Sequence, residues 1–316
     1  MNPYLFLVGV PRSGRTLLAR ILDAHSEIAI TPETHWITRR LRAGRGIGPD
    51  GIVTAEVVDA FSDDPLLTKS NLKTDELRQL VESGLSYPAF VTAFYDLYGR
   101  KHGKKLVGDR TGAYVSNIPT LHELFPHART VHLVRDGRDV CLSMVNWQRR
   151  AEHFARRFST WAEDTVVTAA IRWKRLVSRG RADGAALGEG LYYELRYEAL
   201  VHEPERECKT LCAFLDLRYE ETMLRFHEGR TKREPGLSSK RAWLPITPGL
   251  RDWRTQMAPD AVEAFEATAG DLLSDLDYER AASQPGEQAR ARASRVTRMY
   301  REGRPRRTPF SAEALS

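Results

Sequence analysis

Residues 4–8, Tyr-Leu-Phe-Leu-Val, are a continuous apolar run, the pattern of a strand buried on both faces. Residues 9–14 break the run with Gly9, Pro11, Ser13 and Gly14, which is turn chemistry. From Arg15 the period becomes helical, with Leu17, Leu18, Ile21 and Leu22 on one face. A strand, a glycine-bearing turn and a helix start make an anion cradle, because backbone N–H groups and the helix dipole point at whatever sits there.

The same alternation continues along the chain. Short apolar runs at 27–30, 105–107 and 130–134, with strand-like alternation at 190–198, read as further strands. Helical spacing is expected over 32–42, 74–83, 88–101, 115–125, 140–147, 150–180, 204–217 and 261–273. Residues 43–72 carry glycine, proline and aspartate breaks. The stretch 43–103 is therefore expected to be a helical insertion or lid within one domain covering 1–280. Residues 229–255 read as an ordered functional loop, because Trp243 and Trp253 need somewhere to pack. Strands alternating with helices give an α/β fold, a P-loop-like three-layer arrangement with a central parallel sheet flanked by helices. Ligands in such sheets sit at the carboxyl ends of the strands. Residues 9–16 and 135–139 both fall at such ends.

Composition narrows this modestly. At 316 residues, 41% hydrophobic and 28% charged, the chain can bury a sizeable core. No apolar run approaches the roughly 20 residues of a membrane span. The first strand starts almost at Met1, so a soluble cytoplasmic protein is expected. Cys141, Cys208 and Cys212 are too few for a disulfide framework, and Cys208 and Cys212 share a helix face as a core pair. Neither they nor the scattered histidines have metal-ligand spacing, and no metal is expected. The net charge of +6 is concentrated beyond residue 281, read as a basic C-terminal extension. Its aromatic content is thin (Tyr300, Phe310), which argues against nucleic-acid binding.

Residues 9–16, Gly-Val-Pro-Arg-Ser-Gly-Arg-Thr, fit the phosphate-loop pattern G-x4-G-K-S/T with arginine in place of lysine. One reading is thus a phosphate-loop kinase using ATP and magnesium on a small molecule. Asp136 is then the nearest candidate for a magnesium-binding carboxylate, and Arg135 and Arg138 flank it. A second reading comes from resemblance. Pro11, Arg12, Ser13, Gly14, Arg15, Thr16 and Leu17 resemble the 5′-phosphosulfate loop, P-R/K-S-G-T-T-L, of sulfotransferases that use 3′-phosphoadenosine 5′-phosphosulfate (PAPS) and release adenosine 3′,5′-bisphosphate (PAP). Arg15 stands where that family has a threonine. Arg135 and Ser143 have the spacing of the family's pair for the 3′-phosphate, an arginine at a strand end and a serine eight residues later. ATP has no such phosphate, so this pair favours the second reading. Residues 195–201 resemble the family's R-Y-E-D/Q-L segment, which makes Tyr193 and Tyr197 candidates on the nucleotide side of the cleft.

The pattern is most similar to that of the protein-tyrosine sulfotransferases and related bacterial sulfotransferases. Residues 31–34 resemble their G-E-E-T, which implies that Glu33 is the catalytic base, with Asp109 or His35 as substitutes. Arg110 falls on their active-site lysine. Residues 238–245 align with S-S/T-D-Q-V-I-K-P, which brings in Ser239 and places Leu244 where the family has a cofactor-binding lysine. Residues 250–253 align with L-S-K-W, and residues 295–303 with R-R-V-Y-K-G. The resemblance implies in-line transfer of a sulfuryl group to an acceptor hydroxyl on a sugar, a phenol, a small metabolite or a peptidyl tyrosine. Arg12, Arg110, Ser239 and the loop N–H groups would stabilise the departing phosphate. A homodimer is one candidate assembly, and the sequence leaves the oligomeric state open.

Overall fold

The computed structural model describes residues 4–62, 70–145, 160–228 and 244–303. Its centre is a parallel sheet of five strands: β1 (Leu5–Val8), β2 (Ile28–Thr31), β3 (Leu106–Asp109), β4 (Arg129–Val134) and β5 (Tyr192–Arg196). The spatial order is β2-β3-β1-β4-β5, so the first strand is also the middle one. Its apolar run follows from that position. Tyr4, Phe6 and Val8 face one hydrophobic layer, and Leu5 and Leu7 face the other. Each such side chain removed from water stabilises the fold by about 1.5–3 kcal/mol, which is why a strand covered on both sides has no polar alternate.

One layer is built by α1 (Arg15–Asp23), α9 (Tyr197–His202) and α10 (Pro204–Phe214), whose Leu18, Ile21, Leu200, Leu211 and the core pair Cys208 and Cys212 pack on Leu5 and Leu7. On the opposite face, α2 (Ala55–Ser62), α3 (Thr74–Glu82), α4 (Tyr87–His102) and α5 (Ile118–Leu124) surround an aromatic centre of Trp36, Tyr87, Phe90, Phe94 and Tyr95. The stretch expected as a lid thus contributes much of one core layer. Its sequence hid this because the apolar face of α4 is spread over aromatics with few aliphatic residues.

A third cluster joins α6 (Gly137–Val145), α7 (Thr160–Glu163), α8 (Thr165–Ala185) and α12 (Pro259–Asp275) beyond the end of β4. The basic segment after residue 280 is partly built into this layer. Its helix α13 (Glu287–Glu302) buries Ala289, Ala293, Val296 and Tyr300 and packs along α8 and α12. Arg292 Nε donates to Asp164 Oδ2 at 2.6 Å, on the residue that caps α8. Part of the basic charge therefore serves packing. Among the described residues no helix is long and apolar enough to cross a membrane.

Candidate active site

β1 and β4 are neighbours in register from Leu5 opposite Arg129 to Val8 opposite His132, so the loops that follow them lie side by side. The first loop turns at Gly9, where a Cβ would come within 2.6 Å of the Leu133 carbonyl oxygen. Arg12 takes a left-handed backbone (φ 78°), a conformation that costs a non-glycine residue about 1–3 kcal/mol. Gly14 enters α1 with φ 106°, and a Cβ there would meet the Tyr197 ring at 2.5 Å. The loop therefore closes against Tyr197 with the N-terminus of α1, at Arg15, Thr16 and Leu17, facing the cleft. Ser13 is buried, and its Oγ has no partner among the described residues. Pro11 is half-buried beside it.

Arg135 follows the end of β4. Its buried guanidinium lies 4.1 Å from the centre of the Tyr197 ring and donates to Asp139 Oδ2 at 3.1 Å, while its Nε has no partner among the described residues. Trp173 Nε1 donates to the Arg135 carbonyl at 3.0 Å and fixes the backbone there. Ser143 lies in the second turn of α6, and its Oγ accepts from Arg12 Nε at 2.9 Å. One hydrogen bond thus joins the loop expected to hold the 5′ end of a nucleotide to the pair expected to hold its 3′-phosphate. Burial, together with the charges of Arg251 and Arg135, lowers the pKa of Arg12. Three guanidinium groups gathered with a helix N-terminus form a site for a multiply charged anion.

Arg251 had no assigned role in the sequence, because only the chain's return to the cleft after residue 244 brings its charge there. That return is held by the remainder of the 135–139 segment. Arg138 is fully buried, with Nη2 2.7 Å from Asp136 Oδ2 and Nη1 2.6 Å from Glu266 Oε1, and its guanidinium lies 3.6 Å from the Trp253 ring centre. Asp139 Oδ1 accepts from the Trp253 backbone N–H at 3.0 Å, at the start of α11 (Trp253–Gln256). Asp136 also accepts from the Arg138 backbone N–H at 2.9 Å. This carboxylate, the nearest candidate for a kinase magnesium ligand, is committed to Arg138.

Glu33 lies beyond β2, on the same carboxyl edge. The expected helix over 32–42 is replaced by a π-helix at Trp36–Leu41, preceded by His35 in a left-handed conformation (φ 56°). The cause is local. Thr34 Oγ1 donates to Asp109 Oδ2, and the His35 N–H donates to Thr111 Oγ1 at 3.2 Å, so the end of β3 and the residues just after it pin both. Glu33 is left projecting, with 41% of its side chain exposed. Its Oε1 lies 3.6 Å from Arg15 Nη1 and its Oε2 lies 3.6 Å from His35 Nε2. Desolvation alone would raise this carboxyl. The close approach of His35 and the charges of Arg15 and Arg110 outweigh it and hold the pKa at about 2.

The remaining sequence candidates divide. Arg110 is half-buried next to this group, and its carbonyl accepts from Arg15. Asp109, a substitute for Glu33 in the sequence reading, is fully buried. It accepts from Thr34, from Tyr95 Oη at 2.9 Å and from the Thr111 N–H at 2.7 Å, so it anchors the site without entering it. Tyr193 is not brought to the cleft. It is the second residue of β5, and its ring stacks on Phe214 at 5.4 Å, toward the opposite end of the strand. Tyr197, at the carboxyl end, takes the place beside the loop. Ser239 and Trp243 lie outside the described residues, and Leu244 is exposed.

A parallel α/β sheet with a glycine-bearing loop, a helix N-terminus and clustered arginines at its carboxyl edge is suited to the phosphates of a nucleotide. Residues 3–221 match the Sulfotransferase family, and the chain belongs to that family. It is an enzyme, a PAPS-dependent sulfotransferase. The chain is 25% identical over 283 residues to protein-tyrosine sulfotransferase 1 of Danio rerio, covering 90% of this chain and 70% of that one. It is 26% identical over 291 residues to protein-tyrosine sulfotransferase 1 of Homo sapiens, covering 90% and 71%. Two solved structures share its fold. The sulfotransferase domain of the Synechococcus PCC 7002 olefin synthase has a TM-score of 0.63 at 22% identity, covering 88% of this chain and 95% of that one. The sulfotransferase domain from the curacin biosynthetic pathway has 0.60 at 20%, covering 89% and 99%.

Proposed function

We propose that the enzyme transfers the sulfuryl group of PAPS in line to an acceptor hydroxyl, with Glu33 as the general base. The observation that carries this reading is the Arg12 Nε to Ser143 Oγ hydrogen bond, because it makes the loop and the Arg135 pair two ends of one site. Two anion-binding groups in one cleft suit a nucleotide phosphorylated at both its 5′ and 3′ positions. The buried, unpartnered Ser13 Oγ and Arg135 Nε are donors positioned for such a ligand.

In this reading Arg135 and Ser143 hold the 3′-phosphate. The α1 N-terminus, with Ser13, Gly14 and Thr16, holds the 5′-phosphate. Glu33 accepts the acceptor's proton as the new oxygen–sulfur bond forms and the bond from sulfur to the 5′-phosphate oxygen breaks. Negative charge then grows on that oxygen, and Arg12 and Arg110 stabilise it electrostatically, since an arginine stays protonated. These cations supply what a metal would otherwise provide, so turnover is expected to survive chelation by EDTA.

A carboxyl held at about 2 is a weak base in the free enzyme. Arg15 and Arg110 hold it there together with the nearby His35, and an anionic donor placed beside the two arginines offsets part of their field. The basicity of Glu33 therefore rises on binding. The relatives named for protein tyrosine make a phenolic hydroxyl the first acceptor class to examine. The test is transfer of 35S from labelled PAPS to a panel of tyrosyl peptide, simple phenols and sugars. Label in a hydroxyl ester, absent with Glu33→Gln, is the expected result. Undiminished transfer by Glu33→Gln would remove Glu33 from the mechanism.

A further inference from the structure

Arg15 occupies the position of the family threonine that would contact the 5′-phosphate, yet its side chain does not lie along the loop. It crosses from the start of α1 to the segment after β3, where Nη1 donates to the Arg110 carbonyl. It passes over Gly112, the first residue of a 3-10 turn at Gly112–Ser116, and a Cβ at that position would overlap the guanidinium. From this slot the same Nη1 reaches Glu33 Oε1 at 3.6 Å. The guanidinium is largely buried, with 11% of the side chain exposed, so its reach is set by the slot more than by its own flexibility.

We propose that Arg15 is a positioning residue for the catalytic base: anchored on the Arg110 carbonyl and seated over Gly112, its guanidinium holds one oxygen of Glu33 while His35 faces the other. The inference rests on the sulfotransferase reading with Glu33 as base. It assigns the departure at position 15 to the acceptor side of the reaction, with the 5′-phosphate left to Ser13, Thr16 and the loop N–H groups. The groups facing Glu33 are Arg15 from α1, Arg110 from the end of β3 and His35 from its own segment, while buried Asp109 acts on Arg15 from below. Removing Arg15 therefore removes a cation and a geometric restraint and leaves His35 and Arg110 in place.

The test is a carboxyl 13C NMR titration of glutamate-labelled protein, with the Glu33 signal identified by its loss in Glu33→Gln, beside calorimetric titration with PAP. In the unsubstituted enzyme Glu33 is expected to stay ionised down to about pH 3.5. Arg15→Met should raise its midpoint by at least about one pH unit, Arg15→Lys should restore part of the difference, and the Kd for PAP should change by less than about threefold. Gly112→Ala, which displaces the guanidinium without touching the loop, should shift Glu33 in the same direction and serves if Arg15→Met does not fold. An unmoved Glu33 titration in folded variants would overturn the inference. So would a loss of PAP affinity beyond about tenfold with Glu33 unmoved, which would make Arg15 a phosphate ligand. Failure of the underlying reading shows separately, as absence of PAP binding by the unsubstituted enzyme.

Discussion

Glu33 is held between Arg15 and His35, and this placement makes specific demands on its chemistry. Glu33→Gln preserves shape and removes the proposed proton acceptor. It is expected to lower kcat about a hundred- to ten-thousand-fold while leaving PAP binding intact, as checked by single-turnover kinetics and calorimetry. The depressed pKa also fixes the sign of the pH response. Glu33 stays ionised well below neutral pH in the free enzyme, so its protonation sets no acidic limb in kcat/KM above about pH 4. In the bound state the donor offsets the surrounding cations, and kcat is expected to show its acidic limb at higher pH than kcat/KM does. Coincident limbs in the two profiles would contradict the field argument. The carboxyl also contributes stability that is fully present above its unfolded pKa and lost as pH falls through the folded value near 2.

At the scale of the element, the loop before α1 depends on glycine at two kinds of position. Gly9 clears the Leu133 carbonyl, and Gly14 adopts φ 106° against Tyr197. Gly14→Ala is expected to lower stability by about 1–3 kcal/mol through backbone strain alone. The Tyr197 overlap should further open the loop, and PAP binding should fall with it; a thermal melt with and without PAP reads both effects. The loop was legible in the sequence because it lies along one continuous strand, turn and helix, whereas the Arg135 to Ser143 spacing was legible through its resemblance to a family motif. The left-handed His35 and the π-helix after it were not, because they follow from bonds to Asp109 and Thr111, about 75 residues away along the chain. Arg251 was hidden for the same reason, and Tyr193 and Tyr197 could be separated only once the direction of β5 was known.

At the scale of the molecule, the parallel sheet was readable from its apolar runs, whereas the division between core and periphery was not. Aromatic α4 and arginine-rich α13 both look peripheral by composition, and both bury a face. Truncation before residue 287 would strip Val296 from Val167 and Ala264 and leave Asp164, 4% exposed in its side chain, without Arg292. The truncated chain is expected to melt several degrees lower, because an uncompensated buried charge and lost apolar contact both destabilise. An unchanged melting temperature would show that α13 is an accessory arm.

One cleft that reads both ends of a bisphosphorylated nucleotide is tested by calorimetric titration of the enzyme and of Arg135→Ala with PAP and with adenosine 5′-phosphate, beside ATP with magnesium. PAP is expected to bind the unsubstituted enzyme most tightly. Arg135→Ala is expected to weaken PAP at least about tenfold and adenosine 5′-phosphate little, since only the former carries the 3′-phosphate. Equal weakening of both ligands, or tighter binding of ATP with magnesium than of PAP, would contradict it.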